Sequence, residues 1–144
     1  MIIKNDTLDV INDSISGYPP ETGGIIGSDL NGVINKVIMD IPLSPAERLC
    51  SYSPNIDFLN GSIELWRQEG IEFKGVFHTH FMNVETLSRA DERYICSIMD
   101  AMPDEINYLF FPVFVLPDRK LVCYKATQEG GNTKILQEKV KILF

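Results

Sequence analysis

The 144-residue chain holds only two histidines, three cysteines and one tryptophan. The cysteines, Cys50, Cys96 and Cys123, are odd in number and nowhere spaced Cys-x-x-Cys. That argues against a disulfide framework and against a cysteine-based zinc site. Each is expected to be a small buried hydrophobe. Long apolar runs are missing too. The longest candidate, Tyr108 to Leu116, is interrupted by Pro112 and falls short of the roughly 18 residues of a membrane helix. Met1 to Asp6 shows no basic region followed by a long apolar stretch, so no signal peptide is expected. Basic charge is scarce: 13 Lys and Arg stand against 20 Asp and Glu, for a net charge of −7. Such a surface repels nucleic acid and anionic membranes, and neither is expected as a partner. A reducing cytoplasm is the expected location.

What is present fits one domain spanning residues 1–144, with 44% hydrophobic residues for a core. Leu8, Ile11 and Ile15 recur at helical spacing, which predicts a first helix from Asp6 to about Ser16, capped by Asp6 or Thr7. Gly17-Tyr18-Pro19-Pro20 stops it. Two β runs follow, Thr22 to Gly27 and Val33 to Ile41, with Asn31-Gly32 as a hairpin signal. Ser44 to Pro54 reads as a loop. Ile56, Leu59, Ile63 and Trp66 share a helical face over Asn55 to Glu69, and Gly70 ends it. Trp66 on that face is expected in the core. Ile71 to His80 reads as a strand, Asn83 to Leu87 as a loop, and Ser88 to about Met102 as a helix. Tyr108 to Leu116 and Leu121 to Ala126 are two further strands joined at Pro117-Asp118. Val140, Ile142 and Phe144 alternate as a last strand. The expected class is α+β, a mixed and largely antiparallel sheet flanked by helices in a three-layer α/β/α arrangement.

The two histidines are His78 and His80, at the end of a predicted strand. Side chains at i and i+2 of a strand point to one side, so both imidazoles can face one metal ion while Thr79 points away. A catalytic zinc commonly takes three protein ligands plus water, and the third ligand is often a carboxylate. Ser88-Arg89-Ala90-Asp91 reads as a capping box that starts a helix. It also puts the Asp91 carboxylate in the first turn, where it can swing toward the histidines. The two readings are compatible.

His78-Thr79-His80, seven residues, Ser88, two residues and Asp91 match the signature of the JAMM metalloproteases, also called MPN+ or JAB domains. The family also carries an upstream glutamate at the start of a strand, and Glu21 fits, just before Thr22-Gly23-Gly24-Ile25-Ile26-Gly27. The resemblance covers nearly the whole chain and implies a cytidine-deaminase-like three-layer fold. It implies one zinc ion on His78, His80 and Asp91, Glu21 as general base and acid, and Ser88 as donor to the developing oxyanion. The implied reaction is hydrolysis of a peptide or isopeptide bond at the C-terminus of a ubiquitin-like or sulfur-carrier protein ending in Gly-Gly. The compact chain resembles the small stand-alone prokaryotic members. Family members often have proline after the second histidine, where this chain has Phe81, so the shape of the adjoining loop is this chain's own. A zinc nucleobase deaminase does not fit, because His-x-Glu and Cys-x-x-Cys are both missing. The alternative is a non-catalytic or autoinhibited MPN-type binding module.

Overall fold

The computed structural model describes residues 1–41 and 52–144. Cys50 and most of the expected 44–54 loop lie outside the described residues. In chain order the elements are β1 (Ile2–Lys4), α1 (Asn5–Ser14), β2 (Gly23–Ser28), β3 (Ile34–Met39), α2 (Ile56–Gln68), β4 (Glu72–His80), α3 (Arg89–Ala101), β5 (Tyr108–Val115), β6 (Lys120–Glu129), β7 (Asn132–Glu138) and β8 (Lys141–Leu143). The strands form one curled sheet in the order β7-β6-β5-β4-β2-β3-β1-β8. Four of its neighbour pairings are antiparallel, and three (β1–β3, β1–β8 and β4–β5) are parallel.

The side-chain alternation of the central strands makes three layers. Ile26, Phe77, Phe110 and Phe114 face one way and pack with Ile11 and Ile15 on the α1 side. Ile25, Val76, Leu109 and Phe111 face the other way, against Leu59 and Trp66 of α2 and Ile95 and Met99 of α3. Each fully buried large apolar side chain contributes roughly 1.5–3 kcal/mol relative to exposure. Trp66 is 4% exposed, the expected core residue. Gly75 lets β4 and β5 pair closely: its φ is +150°, and a Cβ there would sit 1.7 Å from the Phe110 carbonyl oxygen.

Four elements differ from the sequence expectation. α1 starts at Asn5 with Lys4 at the N-cap and no side-chain cap, so neither Asp6 nor Thr7 caps it. The chain enters this helix directly from β1, a three-residue strand too short to give a periodic signal. β6 runs on to Glu129, and the turn at Gly130 and Gly131, both with positive φ, returns the chain as β7. β7 is half-exposed, so its polar alternation (Thr133, Lys134, Ile135) carried little strand signature. Among the described residues no helix is long and apolar enough to cross a membrane.

Candidate metal centre

β4 lies between β2, antiparallel, and β5, parallel, so its C-terminal end is enclosed on both sides. His78 and His80 share the face of Val76, toward α3. Thr79 points away, and its hydroxyl accepts from the Thr22 N–H at 2.9 Å, while Thr79 N–H donates to the Thr22 carbonyl at 2.9 Å. This pair of bonds fixes the backbone beside Glu21. α3 then supplies the third wall. Ser88 is its N-cap, Ser88 Oγ accepts from Asp91 N–H at 3.0 Å, and the Asp91 carboxylate accepts from Ser88 N–H at 2.9 Å. The capping box is therefore real, and the same carboxylate reaches the histidines, as the two compatible readings require.

The polar atoms converge tightly. His78 Nε2 and His80 Nε2 are 2.9 Å apart. Asp91 Oδ2 is 3.1 Å from His80 Nε2, and Asp91 Oδ1 is 3.4 Å from His78 Nε2. His78, Asp91 and His80 are 0%, 2% and 5% exposed. Glu21, His78 and His80 place one potential ligand atom each within 4.8 Å of one another, a group able to hold a metal ion. The fit can be judged from the distances. Ligands on a tetrahedral zinc at 2.0–2.1 Å are about 3.3 Å apart, close to the edges of the His78–His80–Asp91 triangle. Two imidazoles and one carboxylate suit zinc, and Glu21 stands beside them.

Burial and neighbouring charge set the proton affinities. Burial pushes the Glu21 carboxyl up to about 7, against the pull of the His80 imidazole and the Tyr52 N–H that bonds Glu21 Oε2 at 2.8 Å. Burial lowers His78, outweighing its bond to Asp91. For His80 burial acts the same way, but the Asp91 carboxylate, the Val84 carbonyl and Glu21 together overcome it and raise the imidazole. Asp91 is also desolvated, yet the two histidines and the Ser88 N–H hold it well below the usual carboxylate range.

An open cleft of about 390 Å³ adjoins the site, lined on its polar side by Glu21, His80, Ser88 and Asp91 and on its apolar side by Phe81, Val84 and Leu87. Phe81, at the usual proline position, starts a turn in which Met82 and Asn83 both have positive φ (56° and 55°) and Val84 N–H returns to the Phe81 carbonyl at 3.2 Å. That turn aims the Val84 carbonyl at His80 Nδ1, 3.0 Å away. The loop is tied down by Asn83 N–H on the Leu116 carbonyl, the Tyr124 hydroxyl on the Glu85 carbonyl and Lys120 on Glu85. It forms one wall of the cleft that Glu21 and Asp91 also line.

The five expected site residues, Glu21, His78, His80, Ser88 and Asp91, thus meet in one place. Two more were missed. Tyr94 donates or accepts a 2.9 Å hydrogen bond with His78 Nδ1, and Tyr52 stacks on the His78 ring at 5.8 Å and 11°. The position of Tyr94, one helical turn after Asp91, was a usable signal. Tyr52 had none, because it reaches His78 only through Gly23, which pairs with His78 across β2–β4 and has no side chain to block the phenol ring.

No protein-family model matches the chain, and no curated protein does. Solved structures match it over nearly its full length. A protein of Desulfitobacterium hafniense is 18% identical, with 99% of this chain and 93% of that one covered and a TM-score of 0.65. A JAB1/MPN domain protein of Archaeoglobus fulgidus is 14% identical, with coverage of 99% and 97% and a TM-score of 0.55. A structure described as JAMM, a metalloprotease-like zinc site in the proteasome and signalosome, is 14% identical, with coverage of 100% and 98% and a TM-score of 0.53. The chain has the JAB1/MPN fold. In this MPN frame the His78–His80–Asp91 cluster occupies the end of β4 and the first turn of α3, with Glu21 entering from the start of β2.

Proposed function

We propose that the chain is a zinc-dependent JAMM-type peptidase or isopeptidase, with His78, His80 and Asp91 holding one zinc ion. The observation that carries the reading is the buried triangle of two Nε2 atoms and the Asp91 carboxylate, with edges of 2.9 to 3.4 Å and Glu21 beside it. Zinc bound there supplies a Lewis acid that polarises a scissile carbonyl and makes water acidic near neutral pH. Glu21, with a carboxyl near 7, is suited to take the proton of the attacking water and return it to the leaving amine. Ser88 Oγ accepts from the Asp91 N–H, so its own hydrogen can be given to the developing oxyanion. Phe81, Val84 and Leu87 shield one side from water and receive the substrate chain.

The proposed substrate is the C-terminal tail of a ubiquitin-like or sulfur-carrier protein ending in Gly-Gly, cut at the amide after the second glycine. Two glycines need little width between the Phe81–Leu87 wall and Glu21, and an extended tail can add its backbone to a strand edge. The cleft, which reaches Glu21, His80 and Asp91, favours turnover over the non-catalytic or autoinhibited alternative. The test is a Gly-Gly-ended carrier joined by an amide to a reporter. Cleavage after the second glycine, stopped by a chelator and restored by zinc, is the expected result. A zinc-loaded protein that cuts no such fusion refutes this substrate class.

A further inference from the structure

The two histidines are held from behind by different kinds of partner. The Val84 carbonyl at His80 Nδ1 can only accept, so His80 carries its hydrogen on Nδ1 and offers a lone pair at Nε2. The Tyr94 hydroxyl at His78 Nδ1 can donate or accept. If it donates, a neutral His78 has its hydrogen on Nε2, the atom aimed at His80 and Asp91, and that atom cannot ligate. If it accepts from Nδ1–H, Nε2 is a lone pair. We propose that Tyr94 is a positioning residue of the metal site, which accepts from His78 Nδ1–H and so holds this imidazole in the orientation and tautomer that bind zinc. The inference rests on the zinc reading above.

The packing supports a fixed role. The Tyr94 ring is edge-on to His78 (5.7 Å, 81°), to Tyr52 (6.2 Å, 82°) and to Phe111 (6.3 Å, 64°). Three aromatic neighbours leave the phenol one place to lie, and its oxygen meets His78 there. Tyr94 and Asp91 share a face of α3, so one helix positions both the carboxylate that touches the Nε2 atoms and the hydroxyl behind one of them. Outer partners of this kind set a ligand's basicity and direction.

Tyr94→Phe keeps the ring and removes only the hydroxyl. Zinc affinity, measured by competition with a chromophoric chelator, is expected to fall 10–100-fold, while the circular dichroism spectrum of the metal-free variant stays that of the folded wild type. Equal zinc affinity in wild type and Tyr94→Phe overturns the proposal. An independent measurement uses the wild type alone: in the zinc-loaded protein, nitrogen-15 NMR should show a slowly exchanging proton on His78 Nδ1. A bare Nδ1 overturns the proposal even if the variant fails to fold. A wild type that binds no zinc at all sinks the underlying zinc reading, a result distinct from either.

Discussion

The candidate site has two arms that are built differently. In the β4–α3 arm, His78, His80, Ser88 and Asp91 lie within one strand–loop–helix stretch and satisfy each other by hydrogen bonds. Asp91 alone accepts from the Ser88 N–H and touches both Nε2 atoms, and this holds it ionised despite burial. In the β2 arm, Glu21 accepts from the Tyr52 N–H, and burial prevails and leaves its carboxyl near 7. The difference separates a carboxylate suited to hold a cation permanently from one suited to exchange a proton. Pairs of carboxyls pushed apart in this way mark the division of labour in acid–base sites.

The largest way to break the comparison is to remove the anchor. Asp91→Asn keeps the shape but removes the charge between the histidines. Zinc affinity should drop by more than about 100-fold, beyond the usual loss for an outer partner, and cleavage should disappear with it. Glu21→Gln should leave zinc bound and lower turnover by roughly 10²–10⁴, the range for one acid–base group. Turnover near wild type would remove Glu21 from the chemistry. Ser88→Ala should lower kcat by about 10²–10³ and, through the lost N-cap, destabilise the fold by about 1 kcal/mol. A loss of stability with unchanged kcat would reduce Ser88 to its capping role.

The smallest effect sharpens the comparison through pH. Glu21 has its folded carboxyl raised from 4.5 to about 7, so between these values the metal-free folded state binds the extra proton. Stability from this group is therefore present at low pH and declines as pH rises through that window. Asp91 has the opposite sign: its contribution is present above the ordinary aspartate range and is lost in acid. Chelator-treated wild type compared with Glu21→Gln in denaturant melts isolates the first effect. The variant should lack the decline between pH 4.5 and 7, and parallel curves would contradict the burial account of Glu21.

The same contrast explains what could be read from the sequence. The β4–α3 arm was legible because strand period and helix capping turn fixed spacings into shared faces: His78 and His80 by alternation, Ser88 and Asp91 by the first helical turn. The apolar runs that became β2, β4 and β5 also showed, since burial on both faces demands apolar side chains. Glu21 was placed only through the family resemblance, for a carboxylate ahead of a strand has no periodic mark. Tyr52 and the Val84 carbonyl were illegible for a related reason. Tyr52 reaches the site across a strand pairing, and Val84 acts through its backbone, aimed by a turn with two left-handed residues. β1 and β7 were missed because one is very short and the other faces water on a half-exposed edge.

Which carboxylate holds the metal is the central claim, and zinc stoichiometry tests it most directly. Elemental analysis of dialysed wild type, Glu21→Gln and Asp91→Asn should find one zinc per chain in the first two and none in the third. Zinc retained by Asp91→Asn, or lost from Glu21→Gln, would contradict the division between a fixed ligand on α3 and a proton carrier on β2.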